Sequence, residues 1–296
     1  MVTGSGFIII NKPSGATSFS MVSLVRRLTR LRRVGHAGTL DPLASGVLPV
    51  AFGHATRLIE YLDDELKVYR AGVRFGIATD TYDAEGRVTA TADASSVTAA
   101  DVETALAAFV GDVEQTPPVY SALKVAGRPL YRYAREGAEI EVAARVVHVE
   151  RVELLACEGG VAQIEVRCGK GTYIRSIAHD LGAALGCGAH LAALERRRSG
   201  GFGIDEARAP DDLAELAGAG RLDEAVLAPD RAVERRPAAI LGGGRSVDAR
   251  TGRDVAFEAA AGVELCRAYS VEGAFLGVLK RAGEARWHPE KVIPEG

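Results

Sequence analysis

Between Ser18 and Arg33 the apolar residues Met21, Leu24, Val25, Leu28 and Leu31 fall on one arc at 100° per residue, with Arg26, Arg30 and Arg33 opposite. The spacing predicts an amphipathic helix, capped by Thr17 or Ser18. From Lys67 to Phe75 the period changes to two, and Tyr69, Ala71, Val73 and Phe75 share one face of an expected half-buried strand. Thr98 and Asp101 have capping-box spacing ahead of Val102, Ala105, Leu106 and Phe109, which predicts a helix to about Val110. Arg145–Cys157 and Val161–Cys168 read as strands joined at Gly159-Gly160. A Gly169-Lys170-Gly171 turn then leads into a helix expected from about Thr172, with Ile174, Ile177, Ala178, Leu181 and Leu185 on its apolar side. Two short helical patterns occupy 205–234. After Arg235-Arg236-Pro237 come short β-like pieces, 238–241, 263–269 and 274–280, separated by glycines. The pattern is that of an α+β chain ending in a small β-rich domain of about 60 residues.

At 296 residues, 47% hydrophobic and 25% charged, the chain is long enough for two domains and unlike a disordered or collagen-like one. Its apolar runs are far shorter than the ~18–20 residues of a membrane span, and no basic-then-apolar leader precedes them, so a cytoplasmic location is expected. The four cysteines are 11, 19 and 79 residues apart, without a CxxC pair or an HExxH; no metal site or disulfide framework is expected, only reduced core thiols. The net charge of −3 argues against a nucleic-acid partner until it is divided along the chain. Residues 11–60 carry +5, residues 167–198 carry +4, and residues 205–234 carry −6. A polyanion responds to the local field within a Debye length of ~8–10 Å, so the two basic stretches count for more than the total.

Two segments are candidates for chemistry. Gln115 to Gly137 holds Pro117-Pro118, Gly127 and Pro129 with Tyr120, Tyr131 and Tyr133 among Lys124, Arg128, Arg132 and Arg135. A long loop mixing aromatics with cations suits RNA, where bases stack and phosphates pair. The loop Gly35 to Gly46 places Asp41 before Pro42, which biases the aspartate to an extended backbone and stiffens the loop. Such an aspartate is most often a turn residue. Here metal ligation lacks ligands, and Ser45 lacks a nucleophile elbow. Gly169-Lys170-Gly171-Thr172 departs from a phosphate loop, since glycine follows the lysine. What survives is an isolated carboxylate acting as a nucleophile amid cations.

These motifs give the chain its resemblance. Asn11-Lys12-Pro13-Ser14-Gly15 with Thr17-Ser18, the Gly35–Gly46 loop, Thr79-Asp80-Thr81-Tyr82-Asp83, Gln115 through Lys124, and Gly169 through Arg175 stand in the order found in the bacterial tRNA pseudouridine-55 synthase (TruB) family. The end of the chain, with Gly273 to Val278 and Pro289 to Ile293, resembles the RNA-binding PUA module. The resemblance implies a pseudouridine-synthase fold: a mixed, mostly antiparallel sheet flanked by helices around a central cleft. Its domains would be a catalytic one at 7–230, with an RNA-binding insertion at about 117–140, and a PUA-like one at 236–293 that only adds grip. It implies the isomerisation of uridine-55 in the T loop of tRNA to pseudouridine by base flipping, with no external cofactor, on the T stem-loop as substrate. A monomer without an obligate protein partner is expected. Asp41 matches the nucleophile or base, leaving a glycal and a covalent route open. Tyr69 matches the tyrosine packed on the target base, and Arg175 the arginine paired with the catalytic carboxylate. Tyr173 and Leu194 match base-pocket positions, His36 the histidine near the extruded nucleotide, and Lys124 and Tyr120 contacts of the insertion. The run Leu194-Glu195-Arg196-Arg197-Arg198 departs from the family in having glutamate directly after the leucine. Two other readings compete, a guide-RNA-dependent catalytic subunit and a non-catalytic tRNA-folding protein.

Overall fold

The computed structural model describes residues 4–63, 66–121, 123–125, 127–136, 140 and 142–294. In chain order the main elements are β1 Gly6–Lys12, α1 Ser18–Thr29, β2 Val34–His36, β3 Ser45–Phe52, β4 Lys67–Phe75, α2 Ala99–Leu106, β5 Gly111–Gln115, β6 Arg145–Glu158, β7 Val161–Cys168 and α3 Ile174–Ala184. There follow β8 Ala189–Ser199, α4 Pro210–Gly218, β9 Ala238–Leu241, α5 Gly243–Arg250, β10 Leu265–Ser270, β11 Phe275–Arg281 and β12 Arg286–Val292. They form two compact units: residues 1–41, 46–65 and 199–296, and residues 42–45 with 66–198.

In the first unit β3 pairs antiparallel with both β1 and β2. The nearly unbroken apolar run Phe7–Ile10 is buried in β1, as a strand covered on both faces requires. The terminal segment makes a second sheet in which β9 runs parallel to β10, and β10, β11 and β12 continue antiparallel. This sheet has its own core of Leu241, Cys266, Leu276, Leu279 and Trp287. It also sends Val278 and Ile293 into a cluster with Phe7, Ile9, Leu58, Leu62, Phe202 and Val233.

In the second unit the strands lie in the order β8-β4-β7-β6-β5, with β4, β7, β6 and β5 successively antiparallel. The hairpin of β6 and β7 turns at Gly159 and Gly160, whose φ values of 57° and 74° suit glycine. Tyr69, Ala71, Val73 and Phe75 are buried along β4, as the alternation predicts. The apolar side of α3, with Ile174, Ile177, Ala178 and Leu181 buried, packs toward that strand. Cys168, Cys187 and Cys266 are buried thiols, but Cys157 is half-exposed near the end of β6, outside the core expected for it.

Candidate active site

The loop carrying Asp41 is fixed within the first unit by its neighbours. The fully buried Lys12 ammonium donates to the carbonyls of Pro13, at 3.0 Å, and Ala16, at 2.6 Å, which closes the turn into α1. Thr17 caps α1, accepting from the Ser20 amide at 3.0 Å. The buried Ser18 hydroxyl then takes both backbone groups of Leu40, accepting from its amide at 2.9 Å and donating to its carbonyl at 3.1 Å. Asp41 follows, half-buried, with His36 five residues earlier in β2, also half-buried. The positive φ of Gly38 and Gly46, 78° and 99°, bends the loop at places where a side chain would be strained. At the far end of the loop, the Ser45 hydroxyl donates to the Leu194 carbonyl within the second unit, at 3.4 Å.

Arg26, Arg27, Arg32 and Arg33 are exposed on and just after α1 and make no ion pair with a carboxylate among the described residues. Exposed arginines elsewhere do: Arg70 with Glu165, Arg87 with Asp80, Arg167 with Glu150 and Arg221 with Glu224. Arg30 ends the helix in the left-handed region, so α1 stops before the expected Arg33. Phe19 lies 65% exposed on the same helix, with the Arg26 guanidinium 5.8 Å from its ring centre. The acidic segment comes close to this helix: Pro210, Asp211 and Ala214 of α4 line an open groove of about 530 Å³ with Phe19, Leu24 and Arg27.

The second unit holds a loop, 79–87, in which aspartates supply the fixing groups. Asp80 accepts from the Arg87 amide at 2.8 Å. Asp83 accepts from the Thr81 hydroxyl at 2.6 Å and the Glu85 amide at 3.1 Å. Arg175, on α3, reaches into this loop with its side chain only 5% exposed; it lies 3.4 Å from Asp83 Oδ2 and donates to the Thr81 carbonyl at 3.3 Å. A second bond, at 3.0 Å, goes to the carbonyl of Tyr120. An arginine so buried is tolerable because carboxylate and carbonyls replace water around it. The loop also contains Tyr82, whose hydroxyl pKa is pushed up by burial and by Asp180.

The start of the 117–140 insertion is tied to α3. Gln115, 1% exposed, accepts from the Tyr173 amide at 3.0 Å and donates to its carbonyl at 3.1 Å. Ser176 donates to the Thr116 carbonyl at 2.9 Å. Gln115 thus holds, from 58 residues away, the backbone of Tyr173 just before the helix, which begins at Ile174 against an expected start at about Thr172. The Arg145 guanidinium lies 4.9 Å above the Tyr173 ring and donates to the Gly171 carbonyl.

Of the residues expected at the site, Tyr120, Tyr173 and Arg175 are brought together around the start of α3 in the second unit. Tyr69 is buried on β4 opposite Val166, and Leu194 is buried on β8. Lys124 lies in a short strand paired with Pro129, and its side chain is outside the described residues, as are residues 122, 126, 137–139 and 141 of the insertion region. In the 194–198 run Arg196 is buried, Arg197 pairs with Glu195 and Arg198 is exposed. The sequence pattern gives Asp83 and Gln115 no role and offers Ser18 only as an alternative cap of α1, although each lies inside a motif that carries the resemblance.

Residues 26–174 match the TruB family pseudouridylate synthase N-terminal domain, and residues 175–234 the tRNA pseudouridylate synthase B C-terminal domain. The chain is 44% identical to a tRNA pseudouridine synthase B of Thiobacillus denitrificans, over 97% of this chain and 95% of the relative. It is 41% identical to one of Dehalococcoides mccartyi, over 98% and 96%. Among solved structures it resembles a chain from a Cbf5-Nop10-Gar1 complex, with a TM-score of 0.76 at 28% identity over 98% of this chain and 85% of that one. A chain from an H/ACA RNP bound to a substrate RNA containing 2′-deoxyuridine gives 0.75 at 25%, with coverage of 98% and 85%.

Proposed function

The chain belongs to the TruB family of pseudouridylate synthases, and from that premise we propose how its own residues serve the reaction. It is an isomerase that forms pseudouridine in tRNA. The uridine we assign is number 55 of the T loop. The N1–C1′ bond breaks, the freed uracil turns, and a C5–C1′ bond forms; C5 gives up its proton and N1 gains one. Atoms and electrons balance within the substrate, so the reaction needs no oxidant, reductant or external cofactor.

Asp41 is the carboxylate that acts at the sugar as the base departs, either by attack at C1′ or by taking a proton from C2′. The observation that carries this is the way the loop is held: Ser18 grips both backbone groups of Leu40, and the next residue is Asp41. Tyr69 packs on the target base, with Tyr173, Leu194 and His36 completing its surroundings, and Arg175 supplies positive charge to the catalytic step. Lys124 and Tyr120 contact the RNA from the insertion. The exposed Arg26 and Arg27 of α1, which make no ion pair with a carboxylate among the described residues, meet phosphates. The segment 236–293 is a PUA-like RNA-binding domain, and residues 7–230 are the catalytic one. The protein works in the cytoplasm as a monomer.

The test is incubation with an unmodified T-arm stem-loop transcript, read by carbodiimide-dependent reverse-transcription stops. The wild-type chain alone should produce a stop at one uridine, and Asp41→Asn should lower turnover by about 10³-fold or more. Activity that appears only with added guide RNA and partner proteins would move the chain to the guided class. An Asp41→Asn variant at the wild-type rate would remove the nucleophile assignment.

A further inference from the structure

Tyr82 is one of two described non-glycine residues with positive φ, at 64°; the other, Arg30, is a helix cap, where that conformation is common. For an aromatic residue in mid-loop the left-handed region is costly and persists only where the surroundings enforce it. Its effect here is specific. Because residue 82 turns left-handed, the Thr81 carbonyl and the Asp83 carboxylate both face the Arg175 guanidinium, at 3.3 and 3.4 Å from the same Nη1.

The enforcing contact comes from the helix that carries Arg175. His179, one turn further along α3, stacks on the Tyr82 ring with centroids 3.8 Å apart and planes 15° from parallel. Among the described residues the buried Nδ1 of His179 has no hydrogen-bond partner; the contact with Tyr82 is made by the face of the imidazole. The backbone is bolted separately: the Leu191 amide donates to the Tyr82 carbonyl at 2.9 Å, and the Ala84 amide to the Leu191 carbonyl at 3.0 Å. Those bonds fix where the loop lies on β8. The stack holds the direction of the Tyr82 side chain on this left-handed residue.

We propose that Tyr82 and His179 are positioning residues for the isomerisation, a clamp that holds the Thr81–Asp83 turn in the one conformation presenting two acceptors to Arg175. This rests on the reading that Arg175 serves the reaction, and the experiment separates the two. Glycine occupies φ near +60° without strain, so a glycine at 82 needs no clamp. His179→Ala, measured on the stem-loop RNA, should lower kcat about tenfold with KM within about twofold. His179→Phe, which keeps a ring face, should stay within about twofold of wild type. Adding Tyr82→Gly to His179→Ala should restore kcat to within about twofold of wild type. A His179→Ala enzyme that melts earlier but keeps its kcat would make the stack mere packing and overturn the proposal. So would a double variant as slow as His179→Ala. Arg175→Lys is the control for the premise: if it keeps wild-type kcat, the proposal falls with the role of Arg175, whereas a slow Arg175→Lys beside an unimpaired His179→Ala refutes the clamp alone.

Discussion

Two loops of this molecule carry an aspartate inside a motif, and they are held in opposite ways. In 35–46 the fixing bonds described fall on residues around the aspartate: Ser18 holds Leu40, Ser45 donates to Leu194, and the Ala37 amide donates to the Pro49 carbonyl. In 79–87 the carboxylates are themselves the anchors, Asp80 on Arg87 and Asp83 on Thr81, Glu85 and Arg175. A carboxylate consumed in holding a loop has its lone pairs and its charge committed to the fold. The second loop is held through its carboxylates, whereas the first places its aspartate directly after a residue gripped at both backbone groups.

The contrast is sharpest where function and stability are measured on the same variant. Asp41→Asn should lower turnover in the stem-loop assay by about 10³-fold or more while the variant still unfolds cooperatively in urea. Asp83→Ala should lose about 3–5 kcal/mol, because it strands the buried Arg175 charge. A loss no larger than the ~1 kcal/mol of an exposed pair would erase the distinction between the loops. Gly86→Ala comes next: a Cβ there would sit 2.3 Å from Thr81 Oγ1 and 2.9 Å from the Thr81 amide nitrogen. A cost of about 1–3 kcal/mol is expected for forcing the loop open. Ser18→Ala removes both bonds to Leu40; about 1–2 kcal/mol should be lost, with kcat falling more than KM rises. The smallest effect concerns Asp180, whose carboxyl pKa is raised by burial, with His179 pulling the other way. A raised carboxyl pKa means that the folded state holds the proton more tightly than the unfolded chain. That contribution to stability is complete below the ordinary carboxyl range and is lost as pH rises through the folded-state value. Asp180→Asn carries no charge at any pH, so its Tm relative to wild type should be higher at about pH 8 than at about pH 4. An unchanged difference would contradict the assignment.

Much of this architecture is legible in the sequence because it is local. Thr17 as the cap of α1, the buried alternation of β4 from Tyr69 to Phe75, and the hairpin at Gly159-Gly160 each follow from a few neighbouring residues. The differences lie where apolar spacing does not report the backbone. The left-handed Arg30 ends α1 although Leu31 continues the apolar spacing, and Gln115, on another element, holds the Tyr173 backbone just before α3. At the site, the pairing of Arg175 with Asp83 spans 92 positions, and nothing in the local pattern of Thr79 to Asp83 tells an anchoring carboxylate from a reactive one. The resemblance paired Arg175 with the catalytic carboxylate and gave Asp83, 3.4 Å from it, no role.

The shared cluster of Phe7, Ile9, Val278 and Ile293 also bears on how the molecule is made. Its first and last members are far apart in sequence, so β1 is synthesised long before the residues that finish covering it. At ~5–20 residues per second, Phe7 to Ile10 waits roughly 15–60 s for Ile293 to be synthesised. Through that interval the apolar strand is a natural client for chaperones. A chain cut before Val278 would lack Val278 and Ile293 as partners of Phe7 and Ile9, and the apolar face of β1 would stay open where they sit.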